Sequence, residues 1–157
     1  MPDAAALAAN PLVALTAVAG PAVLTNACSV LALGTSNRLA RVVDRTRYVS
    51  RELRNLAPGS PEHERWARQH QRLAIRTQLL LRALRSFYTA LGAFAAAALT
   101  LGLGAVVAHQ YPTAFWLFAT TAFAVGGAAV GMLGYGCVQV VRETGLAVQN
   151  LSEEAQL

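Results

Sequence analysis

Residues 21–54 read PAVLTNACSVLALGTSNRLARVVDRTRYVSRELR, and this stretch decides the fold. As far as Ser36 it is an apolar run with polar residues set into it. At Asn37 and Arg38 it turns, without a break, into an arginine-rich amphipathic segment. Gly34 is the one Gly or Pro after Pro21, so the pattern predicts a single long helix that leaves an apolar phase and continues into water. Pro21 to Ser36 covers only about 24 Å of helix, short of a ~30 Å hydrocarbon core. The first span is therefore expected over about 14–36. On that reading Gly20-Pro21 is either a helix start, where Pro fits the first turn, or a point within the span. Residues 1–20 are then an extension of the span or a helix lying in the interface.

Downstream, apolar side chains recur at heptad spacing: Leu39, Val42, Thr46, Val49, Leu53, Leu56. Ala57-Pro58-Gly59-Ser60-Pro61 is turn chemistry. Ser60 suits an N-cap, Pro61 the first helical position, and Glu62 and Glu64 the positive end of the helix dipole. A second repeat follows at Trp66, Leu73, Leu80 and Phe87. Two amphipathic helices joined by so short a turn are expected to pack as an antiparallel hairpin over 37–85. From Ser86 the chain is apolar to about 108, a second span. A chargeless turn at 109–113 leads into a third span over about 114–141, with Tyr111, Phe115 and Trp116 at its start, where interfacial aromatics sit. Residues 142–157 form a polar, acidic tail.

With 55 % hydrophobic residues and a mean hydropathy of +0.40, the 157-residue chain is too apolar for an ordinary soluble domain. All thirteen basic residues are Arg, and twelve lie between Arg38 and Arg85. Against four acids they give that segment a net +8, leaving −3 for the rest of a +5 chain. An Arg at the bilayer centre costs roughly 2.5–3.5 kcal/mol and Arg-rich loops stay inside. The expected orientation therefore has residues 37–85 and the C-terminus in the cytoplasm and the N-terminus outside a bacterial inner membrane. The N-terminus has no basic n-region, so the first helix is expected to be retained. Cys28 and Cys137 lie within apolar runs and read as small buried hydrophobes.

These residues carry a resemblance. Pro-Ala-x-Leu opens a first span, Ser-Asn-Arg-Leu-x-Arg-x-x-Asp-Arg-x-Arg follows from Ser36 to Arg47, and an Arg-rich hairpin and two further spans complete the order. The chain resembles a bacterial family catalogued as domain of unknown function 2721. The resemblance covers nearly the whole chain. It implies a small integral membrane protein and brings no activity and no functional residues.

Thr25, Asn26, Ser29, Ser36 and Asn37 fall on one arc of the first helix, with Arg38 following and Asp44 on the same side. Such a stripe is either a set of interhelical hydrogen-bond contacts or the lining of a polar pathway. Gly127, Gly131 and Gly134 form a small-residue face on the third span, and Gly92-x-x-x-Ala96 and Ala98-x-x-x-Gly102 do so on the second. These are expected to be helix-packing faces, within a subunit or between subunits. Arg65, Arg68, Arg72 and Arg76 form a basic stripe for which anionic headgroups are the nearest ligands; nucleic acid is not expected. His63, His70 and His109 lack a metal-ligand pattern. Gly134-Tyr135-Gly136 lies within a helical run, unlike a potassium filter. No catalytic constellation, metal site or cofactor motif is legible. The expectation is an all-α, non-enzymatic, homo-oligomeric module presenting a basic hairpin. The alternative is an oligomeric channel lined by the first span.

Overall fold

The computed structural model describes residues 11–107 and 111–154, and the side chains of 19–107, 111, and 113–148. Among the described residues the fold consists of three long helices: α1 (Pro11–Asn55), α2 (Pro61–Val107) and α3 (Pro112–Glu154). They contain 45, 47 and 43 residues, so each is roughly 65–70 Å long.

The all-α expectation is met. α1 continues without interruption from the apolar run into the arginine-rich segment, and it also passes through Gly20 and Pro21. That position is therefore internal to the helix. A proline removes one N–H from the ladder, a loss that apolar helices tolerate when neighbouring groups compensate. The stretch expected as the first span is helical, and its side chains are described from Ala19 onward. Residues 1–10 lie outside the described residues, as do 108–110 of the expected second turn and 155–157 of the tail. The tail does not leave the helix where its polarity rises: α3 continues to Glu154.

The chain divides into two compact units, and every helix contributes to both. The first comprises the chain to Leu31 together with Ser86–Gly134. Its core is built from small and aromatic side chains: Cys28, Ala90, Phe94 and Ala129 are buried, with Leu24, Leu91, Ala93 and Leu133 packed on them. Alanine at these positions lets helix backbones approach closely. Gly104 marks a tight approach. A Cβ built there would stand 2.6 Å from Phe118 Cβ, so α2 and α3 meet where no side chain fits. The buried Ser86 hydroxyl donates across to the Met132 carbonyl.

The second unit comprises Ala32–Arg85 and the chain from Tyr135. The heptads of the two arms meet as expected. Val42, Val49, Leu73 and Leu80 form one buried cluster, with Leu39 and Trp66 against it. Tyr48 and Trp66 rings lie 6.0 Å apart, and the Arg45 guanidinium sits 5.3 Å over the Tyr48 ring. The connecting turn works through Gly59, whose φ of 84° an L side chain rarely adopts. Ser60 then caps α2: its Oγ accepts from His63 N–H at 3.1 Å and its carbonyl from Glu64 N–H at 3.1 Å.

Among the described residues, α2 and α3 contain stretches long and apolar enough to cross a membrane. Only 22 % and 17 % of those stretches are buried inside the protein, so most of their apolar surface faces outward. Hydroxyls on the helices mostly donate to their own backbone one turn back. Ser29, Thr46, Thr77, Thr100, Thr121 and Thr144 each bond the carbonyl four residues earlier.

Candidate functional site

The polar centre of the second unit is an ion cluster with one member from each helix. Glu143 of α3 stands one residue past the exposed Arg142, yet its side chain is only 3 % exposed. The helical period turns it through about 100° from Arg142, onto the inner face of the unit. Arg76 of α2 reaches it with two nitrogens. Nε donates to Oε1 at 2.8 Å and Nη2 approaches the same oxygen at 2.6 Å. The Arg76 side chain is itself 23 % exposed. Arg38 of α1 completes the group from the rim, 45 % exposed, with Nη1 at 3.8 Å from Glu143 Oε2. The same Nη1 donates to Thr144 Oγ1 at 3.0 Å. Thr144 gives its own proton to the Val140 carbonyl, which leaves the hydroxyl oxygen free to accept.

Two guanidinium groups against one carboxylate leave the cluster with one excess positive charge. A buried carboxylate must be paired to remain charged, and here two helices supply the pairing. Such a group fixes the axial height and rotation of three helices relative to one another. Gln139 extends the polar line by one turn, four residues before Glu143. It is buried, and its Oε1 has no hydrogen-bond partner among the described residues. An orphan acceptor of this kind costs about 1–3 kcal/mol.

The sequence-derived candidates distribute as follows. On α1, Asn26, Ser29, Ser36, Asn37 and Asp44 are exposed and Thr25 is half-buried. Within the first unit, Asn26 and Ser29 thus look away from the core rather than into it. Asp44 lies 3.7 Å from Arg47 on the surface. Arg38, expected with Asn37 among the interhelical contacts or the lining of a polar pathway, is engaged with Thr144 and Glu143. Of the basic stripe, Arg65, Arg68 and Arg72 are exposed, and Arg68 is 3.7 Å from Glu64. Arg76, the fourth member, is held by Glu143. Gly127, Gly131 and Gly134 are exposed, and a Cβ at any of them would meet nothing within 4 Å. A close helix contact is made at Gly104.

Glu143, Gln139 and Gly104 were not singled out by the sequence reading. For the first two a signal existed: an acid and an amide spaced i, i+4 at the end of an apolar helix share one face. Gly104 differs from its neighbouring glycines only by the position of Phe118, which no local pattern encodes. His63 and His70 are half-buried on α2 and His109 lies outside the described residues. Among the described residues, no three His, Cys, Asp or Glu side chains are grouped to hold a metal ion.

The model of one family, Protein of unknown function (DUF2721), matches residues 18–153. The match covers most of the chain, which therefore belongs to that family. No curated protein and no solved structure matches the chain.

Proposed function

We propose that this DUF2721 family member is a three-span inner-membrane protein that acts by assembly, without catalysis. Its first unit lies in lipid and its arginine-rich arms stand in the cytoplasm. Homo-oligomers of the subunit present those arms to anionic headgroups and to protein partners. The observation that carries the reading is the outward position of Asn26, the one amide among the described residues of a unit in which none of them is charged. Lipid offers an amide no hydrogen-bond partner, and the deficit drives such a residue toward another protein surface. The outward apolar surface of α2 and α3 supports residence in the bilayer. The twelve arginines of α1 and α2 between Arg38 and Arg85 support the orientation. Exposed Arg65, Arg68 and Arg72 suit headgroup phosphates, each worth about 1 kcal/mol near an anionic surface.

The same outward position of Asn26 also fits the alternative, a pore in which several α1 helices surround a shared axis. Arg38 argues against a basic ring at its mouth, because that side chain is drawn toward Glu143. Three measurements test the proposal. Single cysteines at 58–60 should be shielded from an impermeant thiol reagent in intact cells, and one at Thr113 should react. The opposite labelling removes the orientation. The mass in lipid nanodiscs should exceed one subunit, and Asn26→Leu should reduce it. A wild type that conducts in planar bilayers, with conductance lost in Asn26→Leu while the mass is unchanged, transfers the reading to the pore.

A further inference from the structure

We infer that Arg82 and Arg85, on an outward face of α2, bind the phosphate groups of anionic phospholipids. The inference rests on the membrane reading above and adds to it the level of the bilayer surface and the side chains that meet it. Each helix crosses the first unit in a stretch of nearly one length: 11–31 of α1, 86–107 of α2 and 112–134 of α3. At 1.5 Å per residue these measure about 32, 33 and 35 Å, one thickness of a ~30 Å hydrocarbon core. None of their described residues is charged.

Past that unit the helices differ. On α1 the next charge is Arg38, seven residues beyond Leu31, and on α3 it is Arg142, eight beyond Gly134. Those intervals are about 11 and 12 Å. On α2 Arg85 adjoins Ser86, and Arg82 lies about 6 Å from it. Both are exposed, and a spacing of three puts them on one face. The headgroup layer is about 5–8 Å deep on each side of the core. Among the described residues, Arg82 and Arg85 are the charged ones whose places along their helix fall within it. Tyr135, 51 % exposed where α3 enters the second unit, suits the same layer.

The ion cluster argues against a boundary further out. It holds Arg38, Arg76 and Glu143 at one level within the second unit. A core reaching Glu143 would also reach Arg76, and Arg82 and Arg85 would lie about 9 and 14 Å inside it. Near the middle of a bilayer an exposed guanidinium is at its most costly. A core ending at Ser86 and Gly134 instead moves Val138 and Val141 out of the hydrocarbon, which exposes only parts of two small apolar side chains. A guanidinium stays charged and takes phosphate oxygens in a bidentate fork. Two of them on one face favour a lipid of net negative charge over a zwitterionic one, whose amine they repel.

The test uses the full chain in phosphatidylcholine nanodiscs holding a small fraction of spin-labelled lipid. The wild type should bind labelled phosphatidylglycerol in preference to labelled phosphatidylcholine. Arg82→Gln with Arg85→Gln should cut that preference by about fivefold or more, the worth of one arginine at an anionic surface, with helicity retained. Arg65→Gln with Arg68→Gln should leave most of it. Independently, with Cys28 and Cys137 replaced by Ala, a nitroxide at position 78 should be relaxed by a water-soluble nickel complex; Gln78 is exposed on α2 one turn beyond Arg82. Relaxation by oxygen alone places the arginine pair inside the core and overturns the inference. A preference that survives loss of the pair overturns it too. So does an equal or larger loss from Arg65→Gln with Arg68→Gln, which leaves the headgroup reading standing on the outer stripe. A wild type with no preference for phosphatidylglycerol overturns both.

Discussion

Removing the Arg76 side chain tests the ion cluster most directly. Glu143 accepts two short contacts from Arg76, at 2.6 and 2.8 Å, and only a 3.8 Å approach from Arg38. Arg76→Ala therefore strands a carboxylate that is 3 % exposed. Breaking a buried pair by deleting one partner costs about 3–5 kcal/mol. The upper part of that range applies if the carboxylate cannot reorient to Arg38. Arg38→Ala should cost much less, about 1 kcal/mol or below, because that guanidinium is 45 % exposed and its ion pair is long. Replacing both partners by apolar side chains, Arg76→Met with Glu143→Leu, should recover stability to within ~1–2 kcal/mol of wild type, since nothing charged is left buried. The assay is loss of helicity on titrating a denaturing detergent into a mild one, for the wild type, the two single variants and the double. A coupling energy between Arg76 and Glu143 below about 1 kcal/mol would refute the claim that this pair ties the helices together. So would an Arg38→Ala variant less stable than Arg76→Ala.

Gln139→Leu should leave stability unchanged or raise it by about 1 kcal/mol in the same titration, because it removes a buried acceptor without a partner. Gly104→Ala should cost about 1–3 kcal/mol from the clash with Phe118, whereas Gly92→Ala, with open space at its Cβ, should be neutral or slightly stabilising. Ser60→Ala removes the acceptor of the His63 N–H and should lower the stability of the arms by about 1 kcal/mol; proteolysis at the turn should accelerate to match. Val49→Asp or Leu73→Asp places a charge in the cluster shared by the two arms and should cost several kcal/mol, read as loss of protease resistance between residues 40 and 80.

Helix number, the turn at Gly59 and Ser60, and the facing of Val42 and Val49 toward Leu73 and Leu80 were legible because each has a local cause. A 3-4 apolar repeat identifies a buried face, and a Ser-Pro-Glu sequence after Gly is a helix start. What remained illegible depends on how helices distant in sequence meet. Arg76 is indistinguishable from Arg65 or Arg72 along the chain. Only the placement of α3 turns one into the partner of a buried acid while the others remain on the surface. Glu143 was hidden for the opposite reason, since it follows Arg142 and looks like the first residue of a polar tail. Gly20-Pro21 left two readings open, a helix start or a point within the span, because local punctuation weighs less in an apolar helix whose ladder can lose one donor. The small-residue face at Gly127, Gly131 and Gly134 was legible from its spacing, but whether it packs within the subunit was not, and it stands open there.

The self-bonded hydroxyls on the helices have a consequence for how variation in this chain should be interpreted. A hydropathy profile counts Thr100, Thr120 and Thr121 as polar, yet Thr100 and Thr121 give their protons to carbonyls of their own helix one turn back, and Thr120 bonds the Trp116 carbonyl at 2.9 Å. To the surrounding medium each presents mainly a methyl group, so exchange with Val or Ala there should be nearly silent. An amide has no comparable way to satisfy both its oxygen and its two N–H groups on one helix. Asn26 therefore carries information that the hydroxyl residues do not. In a library of variants selected for correct membrane assembly, the threonines should drift freely while position 26 keeps a hydrogen-bonding side chain.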